Sequence, residues 1–152
     1  MRQSTNALGD WYATLVYAGR IQLVLCTSAN SLLSVVFEAR QVRMRIAENL
    51  CSSLESLLCD IGVSEPQVRA ELDEMSECRF GPTGSRSILG SMNDFAGIIR
   101  YMICAQPNIA LRQINLELSG TPCRGIHGFG FPNERARMLL ENWHRECNPT
   151  MH

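Results

Sequence analysis

The chain contains no lysine: all 14 of its basic residues are arginine. That absence excludes Schiff-base catalysis, a P-loop lysine and a Ser-Lys dyad, and it leaves recognition of phosphate or carboxylate to guanidinium forks. Long apolar runs are missing too. No stretch approaches the roughly 20 residues that cross a bilayer as a helix, and the polar Met1–Asp10 segment has no secretory apolar core. Both point to a cytoplasmic protein with no membrane partner. Net charge is only -1, so charge does not indicate nucleic acid, and any such contact would need a local patch. No RNP-like or arginine-rich motif surrounds Trp11, Tyr12 or Tyr17, which read as strand packing. The seven cysteines, at 26, 51, 59, 78, 104, 123 and 147, include no CxxC and sit mostly within apolar patterns. They read as reduced, buried thiols acting as small hydrophobes.

What is present is the composition of a globular chain: 152 residues, 45% hydrophobic and 19% charged. One domain over 1–152 follows, since nothing resembles a linker or a repeat. Trp11 to Ala18 and Ile21 to Thr27, separated by Gly19-Arg20, predict a β-hairpin. The run LLSVVFEA, with Leu33, Val35, Phe37 and Ala39 on one face, predicts a third strand of a meander that needs one covering layer. Helices supply it: one from Val42 to Ile61, one from about Glu65 to Met75, one from Ser87 to Cys104, and one at Asn133–Glu146. Ile109–Leu118 fits a helix imperfectly and a strand partly, and is assigned helix. Cys123–Pro132 is glycine-rich and predicts loop. The fold class is α+β, an N-terminal antiparallel three-stranded meander packed against four or five helices.

The densest chemistry lies in GPTGSRSILGSMNDF, Gly81 to Phe95. It is not a Walker loop, because Arg86 stands where the lysine would be and Ser85 replaces the glycine before it. Either Thr83 or Ser85 caps the helix, with Arg86 paired to Glu74 or Asp94, or the free amides and Arg86 bind an anion. Ser87, Ser91 and Asp94 form one polar stripe; Arg86, Gly90, Asn93, Gly97 and Arg100 line its neighbour. Gly90 and Gly97 would also let another backbone approach closely. Polar groups on an otherwise buried helix must be satisfied by internal bonds or by a ligand. Glu71, Asp73, Glu74 and Glu77 read as solvated surface acids. Cys123, His127, His144 and Cys147 have spacings that tetrahedral zinc could use, without matching any standard finger, and no metal is assigned. Phe129 and Phe131 either form a lid or partner contact or plug the end of the core.

LGDWYATL with the downstream Arg20, Glu74-Met75, RSILGSMNDF from Arg86 to Phe95, and Thr121-Pro122-Cys123 together resemble an uncharacterised bacterial domain family of small stand-alone proteins. The resemblance implies one compact α+β domain and no particular reaction. It adds shared polar positions at Asp10, Trp11, Arg20, Glu74, Arg86, Ser87, Ser91, Asn93 and Asp94, which favour a ligand site at the Arg86 helix.

The expectation is a small cytoplasmic binding or regulatory module without a cofactor. Arg86, Ser87, Asn93 and Asp94 would form a polar pocket for an anionic small molecule or a protein partner's polar group, with Arg20 and Glu74 bordering it. One alternative is an enzyme acting on nucleotides or nucleic acid, with Asp94 or Glu74 as base and Arg86 stabilising negative charge. Another is a partner-binding protein, such as an antitoxin-like or phage-encoded inhibitor, using an exposed sheet edge.

Overall fold

The computed structural model describes residues 6–39, 46–75, 80–81, 85–125 and 128–147. The predicted hairpin forms as β1 (Trp11–Ala18) and β2 (Ile21–Ser28), and β3 (Ser34–Glu38) adds antiparallel to β2. A two-residue strand, β4 (Phe80–Gly81), pairs parallel with β1, so the sheet order is β3-β2-β1-β4. The helices are α1 (Ile46–Asp60), α2 (Glu65–Glu74), α3 (Arg86–Ala105), α4 (Leu111–Ser119) and α5 (Pro132–Cys147). The fold is α+β. Val42, the expected start of the first helix, lies outside the described residues.

The sheet is covered on both faces, not one. Val24, Cys26, Val35 and Phe37 face a core built with Leu50, Leu54, Leu57 and Leu58 of α1, Val68 of α2 and Ala136 and Leu140 of α5. Leu23, Leu25 and Val36 face a second core with Ile88, Met92, Phe95 and Ile99 of α3 and Ile114 and Leu118 of α4. Period-two alternation exposes both sets because each face of a pleated strand meets its own helical layer. This accounts for the near-continuous apolar reading of β2, which a strand with one wet face would not have. Ile109–Leu118 resembles a strand only because Ile114, Leu116 and Leu118 alternate. In α4, Ile114 and Leu118 are buried and Leu116 is exposed.

Cys123–Pro132 corrects the loop expectation. Cys123–Gly125 (β5) and Gly128–Gly130 (β6) pair antiparallel, with Arg124 opposite Phe129. Phe129 is 76% exposed, so it does not plug the core. At the start of α2, Val63 and Val68 both pack within the first core, and Ser64, which precedes the helix, makes no side-chain cap bond.

The LGDW stretch is a buried latch. Gly9 has φ of +77°, and a Cβ there would lie 2.6 Å from Asn30 Nδ2, so both backbone conformation and space demand glycine. Asn6 Nδ2 donates to Gly9 O at 3.0 Å and to Glu71 Oε2 at 2.8 Å. Glu71 also accepts from the backbone N–H groups of Ala7 (2.8 Å) and Leu8 (3.1 Å). Glu71 is 0% exposed, which corrects its reading as a solvated acid. It shares the inward face of α2 with Val68 and Met75, and that spacing was its sequence signal. Ser28 Oγ donates to Leu8 O at 2.6 Å, tying the same loop to the end of β2.

Candidate functional site

α3 begins at Ser85, whose extended backbone and side chain, accepting from Ile88 N at 3.3 Å, make it the N-cap. Thr83, the other cap candidate, lies outside the described residues. Ile88, Met92, Phe95 and Ile99 turn toward the sheet. That orientation sets the opposite face: Arg86, Ser87, Asn93 and Asp94 are exposed and Ser91 is half-buried. The polar stripe therefore runs along the solvent side of α3 and not through a buried sector, and its groups need no internal partners. Gly90 and Gly97 are also on this open side; no other backbone approaches either of them.

The stripe forms one wall of a groove of about 390 Å³. Arg86, Ser87, Ser91 and Asp94 come from α3; the facing wall carries Thr121, Cys123, Arg124 and Phe129. The structure thus brings the Arg86 block and the Thr121-Pro122-Cys123 block, distant in sequence, to the two sides of one cleft. Among the described residues neither Arg86 nor Asp94 has a hydrogen-bond or ion-pair partner. Eight residues of helix separate them, about 12 Å along the axis, so positive charge gathers at the N-terminal end of α3. The helix dipole has the same sign there.

Arg124 and Phe129 are cross-strand partners, so their side chains share one face of the hairpin with Cβ atoms about 5 Å apart. Sequence reading missed Arg124; its only signal was adjacency to Thr121-Pro122-Cys123. The hairpin is held by Arg135 of α5, whose Nη2 donates to Cys123 O at 2.6 Å and Gly128 O at 2.7 Å. Its Nη1 reaches Cys123 Sγ at 3.4 Å. Arg135→Ala is expected to cost about 2 kcal/mol, the loss of charge-assisted bonds to two carbonyls. Urea unfolding measures that cost, and limited proteolysis should show earlier cleavage within 123–130.

Asn93 is on α3 but does not line the groove. Arg20 is elsewhere, in the β1–β2 turn beside Ile21, Gln22 and Glu38. Arg100 Nε donates to Tyr17 O near that turn at 3.1 Å, and Arg100 stands about 21 Å along α3 from Arg86. Glu74 is at the end of α2, which packs on the opposite face of the sheet from α3. Of the zinc candidates, His127 and the side chain of Cys147 lie outside the described residues. Among the described residues no three His, Cys, Asp or Glu side chains group as metal ligands. No described helix is long and apolar enough to cross a membrane.

No curated protein and no solved structure matches the chain. One family model does, over residues 1–135, a span that takes in the whole sheet, the latch, both walls of the groove and Arg135. The chain belongs to the family described as a domain of unknown function, DUF6933.

Proposed function

We propose that the protein is a cytoplasmic binding or regulatory module that takes an anionic small molecule into the groove between α3 and the β5–β6 hairpin. The observation that carries this reading is the convergence of Arg86, Arg124 and the exposed ring of Phe129 on one cleft beside a capped helix N-terminus. Guanidinium groups supply forked donors to phosphate or carboxylate, and the Ser87 and Ser91 hydroxyls add donors along the stripe. Phe129 offers a face on which a planar group can stack. A ligand with an anionic end and a flat end, such as a nucleotide, matches both features.

The enzyme alternative requires a carboxylate within hydrogen-bond reach of Arg86. Asp94 is two helical turns away and Glu74 is across the sheet, so neither supports that mechanism. Isothermal titration against nucleotides, short oligonucleotides and anionic metabolites tests the proposal. Arg86→Ala is expected to weaken the best ligand at least about tenfold, the worth of one charge-assisted contact. Affinity unchanged by that substitution would remove the groove from consideration.

A further inference from the structure

β3 is an edge strand, and α1 and α4 lie over its free side. The outward N–H of Val36 donates to Asn115 Oδ1 of α4 at 2.8 Å. Asn115 is 6% exposed, and this bond fixes its amide: the oxygen faces the strand, and the NH2 with its two donors faces away from it. It lines a groove of about 270 Å³ floored by Val36 and Phe37. The α1 wall carries Ser52, Ser53 and Ser56. One end is closed by an ion pair from Arg112 to Asp60, with Nε to Oδ2 at 2.7 Å and Nη2 to Oδ1 at 2.5 Å.

Protecting an edge strand requires a covering helix and one acceptor for the outward N–H. Aliphatic side chains on α1 would complete that cover. Three serines, which favour helix less than alanine or leucine, stand there instead. Neither their hydroxyls nor Asn115 Nδ2 has a partner among the described residues. The donors and hydroxyls therefore line one open groove, and among the described residues its only charges, Arg112 and Asp60, neutralise each other.

We infer that this groove is a second binding site, for a small uncharged polyol of monosaccharide size. Hydroxyls complement hydroxyls because each both donates and accepts. The described lining carries no net charge and gives neither an anion nor a cation an advantage. The volume lies at or just below the small end of ligand sites, roughly 300 to 1,000 Å³, which excludes larger glycans from full enclosure.

The test is NMR titration of the 15N-labelled full chain with glucose, ribose, inositol and glycerol, and with inorganic phosphate as charged comparator. At least one polyol should shift the Asn115 side-chain NH2 resonances saturably. Asn115→Asp keeps the oxygen that accepts from Val36 but removes both donors, and should weaken binding about tenfold. A Ser53→Ala/Ser56→Ala variant should also weaken it, with the backbone spectrum of the fold retained. The inference is overturned if no polyol gives a saturable shift, if phosphate alone does, or if both variants bind as the wild type does.

Discussion

Glu71→Ala is expected to lose about 3 kcal/mol of stability, since it strands the buried N–H groups of Ala7 and Leu8 and takes away one acceptor of Asn6 Nδ2. Oε1 accepts from Ala7 N, and Oε2 accepts from Asn6 Nδ2 and Leu8 N. Glu71→Gln should cost nearly as much, because an amide turns an NH2 toward one of those N–H groups. Chemical denaturation of the two variants measures both.

The same carboxyl sets a pH dependence. Burial pushes its pKa up from the ordinary 4.5; the three N–H donors pull the other way, and the charge of Glu74 adds to the rise. The folded state then holds the proton more tightly than the unfolded chain. The Glu71 contribution to stability is full below 4.5 and declines as pH rises through the raised folded value. Glutamine does not titrate, so the penalty of Glu71→Gln should shrink as pH increases from about 4 to about 7. A penalty that instead grows over that range would mean the donors outweigh burial and hold the carboxyl below its ordinary value.

Trp11→Ala should cost about 4 kcal/mol, the usual loss when a large buried aromatic is removed from a packed core. Trp11 is 0% exposed among Leu33, Leu54 and Leu58. Trp11→Phe should be far milder, about 1 kcal/mol. Among the described residues the buried Trp11 Nε1 has no hydrogen-bond partner, and an orphaned donor costs roughly 1 to 3 kcal/mol in the folded state. Phenylalanine removes that penalty while keeping most of the ring volume. Thermal and urea unfolding of the two variants decide it: comparable losses for Phe and Ala would show that the indole N–H has an acceptor.

These two residues bear on how motifs are read. Gly9, Trp11 and Glu71 build a latch and a core, so the LGDW block is explained by backbone conformation and burial. Arg86, Ser87 and Asp94 are not explained that way: they are exposed, while the apolar face of α3 packs on the sheet. The Thr121-Pro122-Cys123 block is placed by bonds from Thr121 to α4, by packing of Cys123 on the second core and by Arg135, which pins the hairpin that follows it.

Sequence alone determined the elements whose signal is local. The hairpin at Gly19-Arg20, the apolar stripes of α1 and α3, a cap for α3 at Thr83 or Ser85 and the terminal helix were each legible, because periodicity and capping act within a few residues. The missing lysines had already assigned any anion to arginine. Tertiary structure decided the rest. Whether Val36 faced solvent or a second core depended on which helices covered the sheet, and Glu71 became a buried anchor through bonds to a loop 64 residues away. Arg124 joined Arg86 through a hairpin anchored from α5, while Arg20 and Glu74 fell to a distant turn and the opposite layer. Packing partners far apart in the chain leave no periodic trace in either segment, so only the folded arrangement brought these side chains together or kept them apart.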